Sequence, residues 1–480
     1  MAHDDGAAAP LLASLPETGK PRRSRNMYAF GCAALASMTT ILMGYNLALM
    51  SGAQLFIRED LGFSDEQVEV LSGSMNLFML ASILAAGWAA DALGRRGTLV
   101  LANAFLMAGA LAMSLGGSYA ALMAARFVTS VGAGFSVVVT SVYNAEISPP
   151  STRGLLSSLL EIFISIGLLL SYVSNYALAG LPVHLGWRAM FAAGVLPPLF
   201  LAAGVLAMPE SPRWLAMRGR HADARAVLVR TSDTAAEADL RLDEIKQAVE
   251  VAHAGDGGGG SVWKDLLVRP SPGVRRRLVC VAGVHFFQQA SGIDALVLYS
   301  PLVFRKAGMS SAAAVLGATV AWGVVKACFV LVATLLSDRL GRRPLLVASA
   351  AGVAAAMASL GVTLCAGGAA SAARAAASVA AVMAFMAAFS VGFGPLAGTY
   401  SAEIMPLRLR AQGVSLGIAA NRLTSGAVSM TFISLADWIT MPGCFFLYAG
   451  VGVAGCAFIH ARLPETKGRS LEEMDVLFAK

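Results

Sequence analysis

Asp91-Ala92-Leu93-Gly94-Arg95-Arg96 and, roughly 250 residues later, Asp338-Arg339-Leu340-Gly341-Arg342-Arg343 are one phrase written twice. Each copy separates two uncharged runs long enough to cross a hydrocarbon layer, which takes about 20 helical residues. Three more pairs follow in the same order. Gly44-Tyr45-Asn46 is matched by Gly292-Ile293-Asp294, Glu146-Ile147-x-Pro149-x-x-x-Arg153 by Glu403-Ile404-x-Pro406-x-x-x-Arg410, and Pro209-Glu210 by Pro464-Glu465. Four pairs at nearly one spacing predict a duplicated chain of two six-helix halves in the same orientation. Duplicated halves of this kind build carriers that rock around a central site.

The composition of the 480 residues agrees. Apolar residues make up 57% and charged residues 14%, against about 25% charged in ordinary globular chains. Too little polar surface is available to coat a water-soluble protein of this size, so a large soluble enzyme is excluded first. The 36 basic and 29 acidic residues give a net charge of +7, but the charges form no nucleic-acid patch; they are sorted by side. Cys32, Cys280, Cys328, Cys365, Cys444 and Cys456 lie in or beside apolar runs with no ligand spacing, and the six histidines form no metal motif. Buried thiols are expected, with no metal site and no cofactor.

Twelve uncharged runs are read as spans: 27–52, 70–90, 97–115, 119–145, 155–178, 187–208, 278–304, 312–336, 344–365, 376–401, 411–436 and 443–463. The fold class is therefore an all-α membrane protein with twelve transmembrane helices in two pseudo-symmetric six-helix bundles. An even count puts both ends on one side. Most Lys and Arg fall in the loops of that side, whereas Arg58, Arg188, Arg305, Lys306 and Arg374 fall opposite and Arg126, Lys326 and Arg422 fall within spans. Both termini are thus expected in the cytoplasm, the first run being an uncleaved span. The segments are a disordered cytoplasmic tail 1–26, a first bundle 27–208, a cytoplasmic linker 209–277, a second bundle 278–463 and a cytoplasmic tail 464–480. Within the linker, 221–229 and 235–252 read as short amphipathic helices, the second with Leu240, Leu242, Ile245 and Val249 on one side, and Gly257 to Gly260 as a flexible break.

The ordered set of motifs resembles the major facilitator superfamily and, within it, the sugar porter family. It comprises Asp91 to Arg96, Arg126 with Glu146 and Arg153, Pro209-Glu210-Ser211-Pro212-Arg213-Trp214-Leu215, Gln288-Gln289-x-x-Gly292-Ile293-Asp294, Asp338 to Arg343, Glu403 to Arg410, and Pro464-Glu465-Thr466-Lys467-Gly468. The wording around Gln288, with Glu161 and Asn421-Arg422, is most similar to the plant polyol and monosaccharide transporter subgroup. The resemblance spans residues 27 to about 475 and implies transport of polyols or monosaccharides by alternating access.

The residues themselves suggest roles. Asp91, Arg95, Arg96, Glu146 and Arg153, duplicated as Asp338, Arg342, Arg343, Glu403 and Arg410, gather opposite charges at cytoplasmic helix ends, where they would form a latch closing the inner mouth. Ordinary positive-inside anchoring would account for the arginines but not for the carboxylates. Ionisable groups inside the membrane are costly and mark functional sites. Glu161 shares a helical face with Ser158, Ser165 and Tyr172. Gln288, Gln289 and Asp294 sit where Gly292 and Pro301 interrupt the seventh span. Together these offer the donors and acceptors that a polyhydroxylated substrate needs, although each could instead bridge helices. The resemblance places Glu161, Gln288, Gln289, Asp294 and Asn421 at sugar contacts and Phe393 against a sugar ring.

Arg126 and Asn46 both lie about 10 Å below the outer surface, counting 1.5 Å per residue, and could touch. Proton-coupled relatives have an aspartate at the Asn46 position; an amide cannot titrate. Either the carrier is a uniporter, or Glu161 or Asp294 takes the proton, which leaves protons as the one coupling ion in view. A second departure is Gly398, where the family has tryptophan. Lys326 and Arg422 have no identifiable partner and read as helix-bridging or snorkelling groups. A non-transporting sugar sensor is the other function class, disfavoured by short tails; an enzyme is disfavoured because no nucleophile with a base, metal cluster or phosphate loop appears. The chain is expected to bind a polyhydroxylated small molecule and the bilayer but no nucleic acid, and to work as a monomer in the plasma membrane.

Overall fold

The computed structural model describes residues 27–148, 153–255, 266, 268, 270–365, 372–406, 409–467 and 478. These form helices α1 (Met27–Leu61), α2 (Asp65–Leu115), α3 (Tyr119–Ile147), α4 (Arg153–Leu178), α5 (Val183–Ala193), α6 (Leu196–Leu206), α7 (Pro212–Met217), α8 (His221–Thr231), α9 (Ala235–Gly255), α10 (Pro272–Ala290), α11 (Ile293–Lys306), α12 (Ala312–Leu340), α13 (Arg342–Cys365), α14 (Ala372–Val391), α15 (Phe393–Ile404), α16 (Arg410–Ile439) and α17 (Met441–Arg462). The side on which α1 starts and α17 ends is called inner, and the other outer.

The helices map onto the twelve expected spans. Nine helical stretches among the described residues are long and apolar enough to cross a membrane. One of them, α2, runs 51 residues and contains two spans, joined at Gly94 by a non-helical kink (φ 82°, ψ 166°). The seventh and eleventh spans escape that criterion for reasons of chemistry. The seventh carries Arg275 to Arg277, Gln288, Gln289 and Asp294 and is split into α10 and α11 at Gly292, which is left-handed (φ 87°). The eleventh, α16, carries Asn421, Arg422 and Asp437. The polar residues that lower hydropathy are those that build the interior.

The exterior is apolar, as lipid as solvent requires: Trp88, Leu115, Phe200 and Trp438 are all more than 70% exposed. The interior holds Asn46, Glu69, Asn76, Arg126, Gln288, Gln289, Asp294, Lys326 and Asn421, each less than 9% exposed. Most apolar side chains of both repeats join one continuous core.

The linker helices stand as the sequence predicts, α8 and α9 packing with α7 around Leu215, Ala224, Leu228, Ala238 and Leu242. One detail differs. Leu240 is 43% exposed, because packing follows the Ala238, Leu242 and Ile245 face rather than the one on which Leu240 sits. Arg241 fastens this subdomain to the first repeat by donating to the carbonyls of Ile147 (3.4 Å) and Ser148 (3.1 Å) at the end of α3, where free helix carbonyls favour a cation. The Gly257–Gly260 break and the tail 1–26 lie outside the described residues.

Candidate functional site

The seventh span positions the centre of the site. Its break at Gly292 brings the end of α10 and the start of α11 together, so Gln288, Gln289 and Asp294 converge there. Gln288 Nε2 donates to the carbonyls of Phe393 (2.7 Å) and Gly394 (3.2 Å), and its Oε1 accepts from Asn421 Nδ2 at 2.8 Å. Asn421 Oδ1 in turn accepts from Gln289 Nε2 at 3.1 Å. Three amides are thereby chained across α10, α15 and α16. The chain ends on Gln289 Oε1, a buried acceptor with no protein partner, a group whose burial is costly until a donor meets it. Asp294 accepts from the Ser425 hydroxyl on α16.

Four charges line the same region, two on each side of zero. Lys326 Nζ on α12 lies 3.9 Å from Glu161 Oε1 on α4, and Arg422 NH1 on α16 donates to Asn76 Oδ1 on α2 at 3.2 Å. Each contact joins the two repeats. Glu161 and Asp294 each lie within electrostatic reach of both Lys326 and Arg422. Lys326 and Arg422 thus bridge helices, one of the two readings open from the sequence, and the partners that no single-helix pattern reveals sit on helices of the other repeat.

Ser165 donates to the Glu161 carbonyl of its own helix (2.9 Å) and Tyr172 to the Val297 carbonyl on α11 (3.3 Å); both hydroxyls are spent on the protein rather than offered to a ligand. The Ser158 side chain lies outside the described residues. Phe393 is fully buried, its ring 6.3 Å from Phe389, so it presents no exposed face to a sugar ring in this state. What it contributes is its carbonyl, held to Gln288. Beside Gly398 the space is open: a Cβ there would meet nothing within 4 Å.

Arg126 and Asn46 do meet, through the backbone. Arg126, 1% exposed, donates to the carbonyls of Asn46 (3.1 Å), Leu71 (3.3 Å) and Ser72 (2.9 Å), while the Asn46 amide turns to Leu42 of its own helix (2.8 Å). Three carbonyls hold the guanidinium, and Asn46 brings it no titratable group.

The inner network recurs in both repeats. Arg95 donates to both oxygens of Glu146 (3.0 Å each) and to Asp91 (3.0 Å); Arg342 donates to Glu403 at 3.1 Å. Ser211 donates to Glu146 (2.5 Å) as Thr466 does to Glu403 (2.6 Å). Tyr143 reaches the Pro209 carbonyl as Tyr400 reaches that of Pro464, both at 3.0 Å. Arg96 and Arg343 donate to the carbonyls of Met208 (3.3 Å) and His460 (2.7 Å) at the ends of the last span of each repeat. The pairs described, Arg95 with Glu146 and Arg342 with Glu403, join helices of a single repeat and so clamp each half. The side chains of Arg153, Asp338 and Arg410 lie outside the described residues.

Besides Ser211, Thr466, Tyr143 and Tyr400, the sequence reading left two carboxylates out of this network. Glu210 accepts the amides of Arg95 (2.9 Å) and Arg96 (3.2 Å), and Glu465 those of Arg342 and Arg343 (3.0 Å each), so each carboxylate caps the helix that follows Gly94 or Gly341. The repeated Pro-Glu was the available signal. At Glu465 burial alone would raise the carboxyl, but the amides of Lys467, Arg342, Arg343 and Thr466 outweigh it and hold it below the usual carboxylate range. Both glycines have positive φ, 82° and 95°, and a Cβ at Gly341 would stand 2.8 Å from Glu465 Oε2. Gly341→Ala is therefore expected to cost about 1–3 kcal/mol of strain; thermal unfolding in detergent should show a clear drop, and an unchanged midpoint would refute the cap.

A model of the sugar (and other) transporter family matches residues 32–478. The chain belongs to that family of the major facilitator superfamily. This transporter is 47% identical to polyol transporter 5 of Arabidopsis thaliana over 98% of its own length and 90% of that protein's. It is 50% identical to putative polyol transporter 1 of the same plant (97% and 94%) and 33% identical to the glucose transporter GlcP of Staphylococcus epidermidis (92% and 95%). Among solved structures, the proton:xylose symporter XylE bound to 6-bromo-6-deoxy-D-glucose superimposes with a TM-score of 0.78 at 25% identity, over 95% of this chain and all of that one. The inward-open conformation of the E. coli xylose transporter XylE matches at 0.75 and 24% identity, over 94% of this chain and all of that one. The protein is thus an integral, multi-pass membrane transporter.

Proposed function

We propose that this transporter carries sugar alcohols, and with them monosaccharides of similar size, by alternating access of one site between the two repeats. The observation that carries the reading is the amide chain Gln289–Asn421–Gln288, which ends on the unpartnered Gln289 Oε1. A hydroxyl is both donor and acceptor, and a polyol presents several in a row; such a ligand satisfies an orphaned acceptor while offering lone pairs to Lys326 and Arg422. The similarity to proteins named polyol transporters supports the same substrate class. Open space beside Gly398 suits a flexible acyclic chain. Both termini, and the clamps built from Asp91 to Arg153 and Asp338 to Arg410, face the cytoplasm in this reading; the carrier works as a monomer in the plasma membrane, with bundles 27–208 and 278–463 moving about the linker 209–277.

Proton coupling is set by Asn46. XylE is described as a proton symporter, whereas in this chain Arg126 is satisfied by carbonyls and its neighbour cannot titrate. Uptake of a labelled six-carbon sugar alcohol into proteoliposomes is expected to be saturable and to respond little to an inward proton gradient. Asn46→Asp, which supplies a titratable group beside Arg126, is expected to add stimulation by the gradient. Strong concentrative uptake by the unaltered protein would show that another carboxylate, Glu161 or Asp294, carries the proton.

A further inference from the structure

Glu69 lies one turn inside the outer end of α2 and is 1% exposed. Its carboxylate is held by the other repeat. The Ile433 amide donates to Oε1 at 2.5 Å, the Ser434 amide to both oxygens at 3.3 Å, and the Ser434 hydroxyl to Oε2 at 2.5 Å, all from α16. Amides inside a helix ordinarily point along it to the carbonyl four residues back. The carbonyl that Ile433 would use, that of Ser429, receives the Tyr299 hydroxyl of α11 at 2.8 Å. The amides of Ile433 and Ser434 in α16 thus meet a carboxylate of α2 through charge-assisted bonds.

The next turn shows how closely the two helices approach. A Cβ on Gly73 would fall 2.4 Å from Met430 Cγ and 2.8 Å from Ser429 Oγ. Leu77 packs beside Gly426 one turn further in, and Asn76 holds Arg422 there. Parallel to this seam, Gln54 on α1 donates to the Leu298 carbonyl of α11 at 2.7 Å. On the outer side Ile433 and Asp437 line a cavity of about 500 Å³ together with Arg58 and Lys306. The contact between Glu69 and α16 therefore stands between that outer cavity and the central amides.

We infer that Glu69 is the outer latch of the transport cycle, a positioning residue whose bonds to the α16 backbone hold the outer side closed and set the fraction of carriers open to the inner side. Opening a path along this seam from the outer cavity toward Gln289 separates α2 from α16 and so breaks these bonds. The kinetic consequence rests on the alternating-access reading; the contact and its effect on geometry do not.

The test uses the full-length protein in lipid nanodiscs. Spin labels are placed on the exposed outer ends of α2 and α16 by Glu66→Cys and Trp438→Cys, with Cys328→Ala and Cys365→Ala removing the exposed native thiols. Pulsed electron paramagnetic resonance should give one short inter-label distance in the otherwise unaltered protein. Glu69→Ala should add a longer population, Ser434→Ala a smaller one, and Gly73→Leu, which wedges the seam, should resemble Glu69→Ala. In proteoliposomes, a rise of the outward-open fraction from about one tenth to about one half would lower the external half-saturation constant about five-fold, a shift that a merely structural role would not give. An unchanged distance distribution in Ser434→Ala and Gly73→Leu, whether or not Glu69→Ala folds, would overturn the inference. The distances need no substrate, so they stay decisive even if the polyol assignment fails.

Discussion

Gln288→Leu is expected to lower polyol uptake by about 30-fold or more while leaving the protein folded. The side chain makes three hydrogen bonds, to the carbonyls of Phe393 and Gly394 and from Asn421, and joins three helices. Leucine fills a similar volume but abandons two buried carbonyls and one buried amide, each a loss of about 1–3 kcal/mol when left unsatisfied. About 1.4 kcal/mol corresponds to a factor of ten, so even partial relaxation leaves a large deficit. Asn421 would also lose the partner that orients it toward Gln289. Gln289→Leu is the informative companion. It removes the orphaned acceptor and one bond, so its main effect should be a higher half-saturation constant with a stable fold. Equal uptake by both variants and the unaltered protein, at matched expression and monodispersity, would remove the amide chain from the site.

The second large effect is expected at the Glu161–Lys326 pair. The two groups stand 3.9 Å apart, with side chains 29% and 10% exposed, on α4 of the first repeat and α12 of the second. Breaking a buried pair by removing one partner typically costs about 3–5 kcal/mol; partial exposure of Glu161 lowers that figure here. Glu161→Gln would leave Lys326 uncompensated with Arg422 close by, so two cations would face Asp294 alone. Uptake should fall at least about tenfold. Because the loss comes from imbalance, Glu161→Gln with Lys326→Gln should recover a substantial part of it, as paired removal does when geometry is conserved. A double variant as poor as the sum of its singles would show that each group contacts substrate independently.

The architecture was legible because duplication makes a pattern visible twice. Asp91 to Arg96 and Asp338 to Arg343 mark equivalent loops, and Glu146 and Glu403 follow them in the same order, 51 residues after Arg95 and 61 after Arg342, so the charged pairs could be read before any coordinate. Glu210 and Glu465 were visible by the same repetition, yet a carboxylate that caps backbone amides leaves no charge partner in the sequence to point at it. Glu161 and Asp294 stood out as ionisable groups in apolar surroundings. Lys326 and Arg422 were visible as charges within spans, but their contacts were not: Lys326 meets Glu161, and Arg422 meets Asn76, only when two bundles come face to face, and contacts between bundles have no sequence period. The packing of the Phe393 ring was hidden for a related reason. An aromatic next to a Gly-Pro break can line a cavity or fill a core, and here the break turns its ring against Phe389. Glu69 sits at the very edge of its span, where a lone acidic residue reads as a flanking charge.

Counterflow tests the central claim most directly. Proteoliposomes holding the purified protein are loaded with an unlabelled six-carbon sugar alcohol and diluted into a trace of the labelled compound. One site presented alternately to the two sides predicts a transient overshoot of label that saturates with the internal load and vanishes in Gln288→Leu. No overshoot with sugar alcohols or monosaccharides, from protein that is folded and correctly inserted, would contradict the account.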